Sequence, residues 1–218
     1  MGTGTLFYLA AIGLSYFRAW PMLPMYLGLP ALVCYLAILW LLNRKRYLLH
    51  PDCAEEFFLR LLIFFLGLLP LFFPKDFYLP FIRSVTIWSH LFFISGVAAK
   101  GFLLLGAIRG LAFLTEKNHS LDSAMSAILT GFILLTLSIF CGEVWAYLGW
   151  GTPIVWHDAA ITTIMALWFY WICVLHLHYS TTWGKKKRAW LITGGGILIV
   201  VLSSPPEMGP FRMVELIP

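Results

Sequence analysis

From Leu61 to Phe73 the chain reads Leu-Leu-Ile-Phe-Phe-Leu-Gly-Leu-Leu-Pro-Leu-Phe-Phe, with no side chain that can hydrogen-bond. Such a run has no period of two, so it is not a half-buried strand. It is one of seven apolar segments, at about 4–19, 22–43, 56–73, 84–114, 124–147, 159–180 and 189–204. Only helices and closed barrels satisfy their backbone inside lipid. A barrel would show segments of about ten residues with alternating polarity. The reading is therefore all-α: a polytopic transmembrane helix bundle of about seven spans, or six if segment 4–19 does not cross. Hydrophobic residues make up 61% of the chain and charged residues 11%, against roughly 25% charge in soluble domains. At about 20 residues per span, little of the 218-residue length is left for an aqueous domain. Chemistry is expected inside the bundle or in its short loops. Segment 4–19 lacks a basic start and a small-residue cleavage site, so it is expected to stay as a helix.

The connections carry the charge. Arg18-Ala19-Trp20-Pro21 closes the first segment, Arg44-Lys45-Arg46 the second and Pro74-Lys75-Asp76 the third, while Lys185-Lys186-Lys187-Arg188 precedes the seventh. Segment 84–114 exceeds a bilayer's needs and is expected to tilt or project. Arg44, Lys45, Arg46, Arg109, Lys117 and Lys185 to Arg188 fall on one side; Arg18, Lys75, Arg83 and Arg212 fall on the other. The positive-inside rule makes the richer side cytoplasmic. This predicts an inner (cytoplasmic) membrane protein with its N-terminus inside and the stretch Trp150–Asp158 outside. The net charge of +5 belongs to helix ends and is no nucleic-acid signal. Cys34, Cys53, Cys141 and Cys173 form neither CxxC nor CxxCH, which speaks against a zinc site, a thioredoxin-like pair or covalently attached haem. A transporter reading lacks an internal repeat and a ring of intramembrane carboxylates.

Histidine is the main chemical resource. His90 falls about two turns into segment 84–114, on the same outer level as His157 in the tryptophan-rich stretch. His176 falls about 27 Å along segment 159–180, near the inner end. Ionisable residues within spans are costly and usually face the bundle interior or a cavity, which singles out His90 and His176. Two imidazoles from different helices can hold a b-type haem without covalent attachment. His50, His119 and His178 read as interfacial groups, and Trp20, Trp183 and Trp190 as belt tryptophans. Trp145, Trp150 and Trp156 flank a glycine-containing loop that leads to His157-Asp158, and could form a flat platform for a planar ligand. Lys100 lies near mid-membrane and Glu143 near an outer end; each pairs elsewhere, or Lys100 meets a haem propionate, or the two are a snorkelling lysine and a solvated glutamate. Arg109 lies close enough to the inner face to need no special role.

The series Gly142-Glu143-Val144-Trp145-Ala146, Trp150-Gly151, Trp156-His157-Asp158, Thr162, Trp168 and Leu175-His176 resembles the haem-handling cytochrome c assembly family, which includes CcsA, CcmC and HemX proteins. Trp88-Ser89-His90-Leu91, leading into Ser95, Gly96, Ala98 and Ala99, is similar to the family helix that opens with an outer histidine. Trp183 to Ala189 is similar to the family's basic connection. The likeness covers roughly 84–202 and is strongest over 142–178. It implies three parts: N-terminal transmembrane helices over 1–83, an assembly-like core with an outer Trp-rich loop over 84–204, and an outer tail over 205–218. It also implies non-covalent haem b handled or presented at the outer face, with cofactor contacts from His90, Trp145, Trp150, Gly151, Trp156, Asp158 and His176 and iron ligation from His90 and His176; His157, at the level of His90, is a further candidate for both roles on its own chemistry and not on the likeness.

Departures from the family pattern are equally specific. Pro153 and Ile154 replace usual aromatics, His157 stands where tryptophan is usual, and no histidine follows His178. His157 or the thioether of Met208 is a candidate for the missing outer ligand, and loss of the outer haem is the alternative. Membrane lipid, other membrane subunits or a haem-receiving protein are the implied partners. Catalysis by the chain alone is not expected. The other reading is a b-haem-binding or structural subunit of a larger membrane electron-transfer complex.

Overall fold

Each apolar segment becomes a helix. The computed structural model describes residues 2–19, 27–49, 54–72, 86–116, 120–154, 159–180 and 182–203. Their helices are α1 (Gly2–Ala19), α2 (Gly28–Leu42), α3 (Arg44–Leu49), α4 (Ala54–Phe72), α5 (Ile87–Thr115), α6 (Leu121–Trp150), α7 (Ala159–Tyr179) and α8 (Lys185–Ser203). Among the described residues, α5, α6 and residues Ile161–Tyr179 of α7 are each long and apolar enough to cross a bilayer. The chain is a multi-pass helical membrane protein.

Two boundaries differ from the sequence reading for local reasons. α6 runs well past 124–147 at both ends. At its start the Ser120 hydroxyl accepts the Asp122 N–H at 3.2 Å, an N-cap strengthened by an acidic first turn. At its end Gly151 takes the left-handed conformation (φ 72°, ψ 5°) and its N–H reaches the Tyr147 carbonyl at 2.9 Å, a stop that suits glycine. The basic stretch expected as plain connection is part of α3, because Tyr47 is buried there at 2% exposure.

α5 and α6 form the central antiparallel pair, 29 and 30 residues long and about 44 Å at 1.5 Å per residue. They approach closely where Gly131 faces Leu103. A Cβ at Gly131 would lie 2.7 Å from Leu103 Cγ and 3.0 Å from the Leu103 backbone nitrogen. A flexible side chain can yield, but the backbone nitrogen cannot. Gly131→Ala should therefore cost about 1–3 kcal/mol and lower the thermal midpoint of the detergent-solubilised protein; an unchanged midpoint would contradict this packing.

α7 and α8 are anchored by specific contacts. The Trp168 indole donates to Thr136 Oγ1 at 3.0 Å and packs 5.5 Å from Phe132. Tyr170 donates to the Leu191 carbonyl at 2.6 Å. Arg188 donates to the carbonyls of His178 and Ser180, occupying acceptors at the C-terminal end of α7. A Cβ at Gly110 would sit 3.4 Å from the Ala189 carbonyl, so the start of α8 lies beside the end of α5.

These contacts define two ends. Tyr16, Leu27, His90, Trp145 and Trp150 gather at one. Asn43, Glu55, Arg109 and Ser123 gather at the other, with Arg44 and Lys45 next to Asn43 in sequence and Lys185 to Lys187 opening α8. The described basic runs at 44–45 and 185–187 thus share an end, while Arg18, two residues past Tyr16 in α1, lies toward the other.

Candidate functional site

The site begins with the first turn of α5. Thr86 is extended (φ −130°, ψ 172°). The Ser89 hydroxyl donates to the Thr86 carbonyl at 2.7 Å and accepts the Thr86 N–H at 3.3 Å. Helix therefore starts at Ile87, and His90 is its fourth residue, about a turn nearer the end than the sequence suggested.

His90 is only 5% exposed. Its Nδ1 is hydrogen-bonded to the Tyr16 hydroxyl of α1, with ring centroids 5.7 Å apart and edge-on. Tyr16 also lies 6.1 Å from Phe93. Around the helix, Phe92 stands 5.9 Å from Trp145, which stands 6.2 Å from Trp150. Its position is fixed by the Ser138 hydroxyl, which donates to the Phe92 carbonyl at 2.8 Å. Leu27, Phe93 and Trp145 form a small apolar cluster at this end, with Tyr16 and Phe92 packed on it.

Three of the expected site residues, His90, Trp145 and Trp150, thus occupy one layer. Of the three indoles expected to form a platform, Trp145 and Trp150 are inclined to one another at 51°, with Trp145 buried against Phe92 and Trp150 39% exposed. Gly151 joins the site as the stop of α6, and Thr152 donates to the Ile154 carbonyl at 3.1 Å just beyond it. Trp156, His157, Asp158, His50, His119 and Met208 lie outside the described residues.

His176 is elsewhere. It lies in the last turn of α7, at the opposite end from His90, with Nδ1 2.8 Å from the Ile172 carbonyl. It is exposed, on a face shared with Phe169 and Cys173, so the expectation of an interior position does not hold. α7 is a peripheral helix, and the face opposite its contacts with α6 and α8 carries this residue. His178 is half-buried, as are Lys100 and Glu143 within their helices.

Arg109, expected to need no special role, has one. Far from lacking a role, its guanidinium donates to Glu55 Oε1 at 3.0 Å, the Ser123 carbonyl at 3.0 Å and Asn43 Oδ1 at 3.4 Å. Tyr47 donates to the same Glu55 oxygen at 2.9 Å. Glu55 is fully buried and Arg109 is 11% exposed. One ion pair therefore ties α2, α3, α4, α5 and α6 together. Sequence reasoning missed it because the partners are 54 positions apart; the signal was a pair of acidic residues, Glu55 and Glu56, opening an apolar helix.

Chemically, the His90 end offers a buried imidazole beside an aromatic layer. Haem brings its own equatorial nitrogens and asks the protein for one or two axial ligands and an apolar, aromatic surface. His90, Trp145 and Trp150 fit that demand.

This combination defines a multi-pass helical membrane protein with a histidine-and-tryptophan site at one end of its bundle. The chain belongs to the cytochrome c assembly protein family, whose match covers residues 21–203. Among curated proteins it is similar to cytochrome c biogenesis protein CcsA of Prochlorococcus marinus strain MIT 9312, 34% identical over 110 residues, 49% of this chain and 35% of that protein. It is also similar to CcsA of strain AS9601, 37% identical over 89 residues, 39% of this chain and 28% of that protein. The matched part thus spans about a third of the length of these relatives. No solved structure matches.

Proposed function

We propose that the chain takes part in cytochrome c biogenesis by handling haem at the His90 end of its bundle. The observation that carries this reading is the buried His90 in one layer with Trp145 and Trp150. When bound, haem would supply an iron that takes imidazole nitrogen and a planar, largely apolar face. His90 would hold that iron through its imidazole. Trp150, partly exposed, presents an indole to the planar ligand, and Trp145 with Phe92 backs it and excludes water. His157 would supply a second nitrogen to the iron, with Gly151, Trp156 and Asp158 near it in sequence. The chain is a haem-binding component rather than a catalyst by itself, and it passes haem to a partner protein.

The site faces the outer side of the cytoplasmic membrane, because the basic ends of α3 and α8 lie opposite it. A cysteine at Thr152, in a variant whose four native cysteines are replaced, should react with an impermeant maleimide added to intact cells. Labelling only after permeabilisation would reverse the orientation.

The exposed His176, on one α7 face with Phe169 and Cys173, supports a second reading. In it the chain is a subunit of a larger membrane electron-transfer complex that holds b-type haem at His176 with a partner's help. Maturation of c-type cytochromes separates the two readings. Loss of the chain should abolish covalently attached haem in the host's c-type cytochromes, and restoring it should recover them; full maturation without the chain would contradict a role in biogenesis.

A further inference from the structure

α1 lies outside residues 21–203, the part that carries the family match, yet it supplies the side chain bonded to His90. We infer that Tyr16 is a positioning residue for that histidine: its hydroxyl holds Nδ1 so that the imidazole offers Nε2 to haem iron. The inference rests on haem handling at His90 as proposed above.

Three features of the structure carry it. The Tyr16 hydroxyl is hydrogen-bonded to His90 Nδ1. The two rings meet edge-on at 5.7 Å, and Tyr16 is itself braced against Phe93 at 6.1 Å, so the phenol is packed as well as bonded. His90 is 5% exposed, where an imidazole nitrogen without a partner is costly. The chemistry follows from the two ring nitrogens. A neutral imidazole that gives Nε2 to a metal carries its proton on Nδ1, and the hydrogen bond made by Nδ1 fixes tautomer, ring orientation and donor strength. A phenol oxygen serves both states, since it donates to a bare Nδ1 and accepts from Nδ1–H. Tyr16 therefore stays bonded as the imidazole proton moves from Nε2 to Nδ1, and α1 contributes to the site without touching the ligand.

The test compares wild type with Tyr16→Phe and His90→Ala in the purified full chain. Without haem, ¹⁵N-histidine spectra should show the His90 Nδ1 resonance shifted in Tyr16→Phe, while the other histidines stay put. After titration with hemin, Tyr16→Phe should bind roughly 10- to 100-fold more weakly, the scale seen when a ligand's supporting hydrogen bond is removed. The haem that does bind should have a raised midpoint potential, because a weaker imidazole donor stabilises ferric iron less relative to ferrous iron. Unchanged Nδ1 shift, affinity and potential in Tyr16→Phe, alongside lost binding in His90→Ala, would overturn the inference and leave the haem site standing. Unchanged binding in His90→Ala would overturn both.

Discussion

Arg109→Met should be among the most destabilising single substitutions in the bundle. It keeps the bulk of the side chain but removes the cation beside Glu55, which has no exposed surface. Breaking a buried pair by deleting one partner costs about 3–5 kcal/mol, because an uncompensated charge remains in a medium that solvates it poorly. The same substitution strips donors from Ser123 O and Asn43 Oδ1, so the ends of α2 and α6 lose an anchor with that of α4. Replacing both charges, as Arg109→Met with Glu55→Leu, should recover much of the loss, since apolar isosteres of buried pairs are often neutral or better. The check is a thermal midpoint in detergent for the single and double variants. A single variant as stable as wild type would mean that the pair is not buried in the membrane-embedded protein.

Trp145→Ala should match it at the other end. Trp145 is 7% exposed and joins Phe92, Trp150, Leu27 and Phe93. Truncating a buried aromatic to alanine costs about 3–5 kcal/mol, and here the collapse also unseats Trp150. Trp150→Ala separates the two contributions. Because Trp150 is 39% exposed, its removal should leave the thermal midpoint almost unchanged and still weaken hemin binding. If Trp150→Ala binds hemin as wild type does, the exposed indole is an interfacial belt residue and not part of the site.

The two ends differ in how far they can be read from residues alone. The layer of His90, Trp145 and Trp150 was legible because helix count and parity suffice to put the three residues at one level. Depth is a one-dimensional property. Rotation about a helix axis is not, when almost every face is apolar. With no polar stripe on α7 to set its orientation, the interior position expected for His176 had no support beyond the cost of a histidine in lipid. The Glu55–Arg109 pair and the Tyr16–His90 bond were hidden for the same reason: each joins residues far apart in sequence whose meeting depends on how separate helices turn toward one another. Composition identified the membrane class, yet it treats Arg109 as one more basic residue near an interface. The helix ends of α6 were misjudged for a smaller reason, because apolar content locates a span while Ser120 and Gly151 decide where the helix stops.

The most direct test is the reduced-minus-oxidised visible spectrum of the purified chain, produced with ample haem, for wild type, His90→Ala and His176→Ala. Wild type should show a b-type haem spectrum that is lost in His90→Ala, returns on adding imidazole to that variant, and is retained in His176→Ala. A spectrum that survives His90→Ala and disappears only in His176→Ala would contradict haem handling at His90.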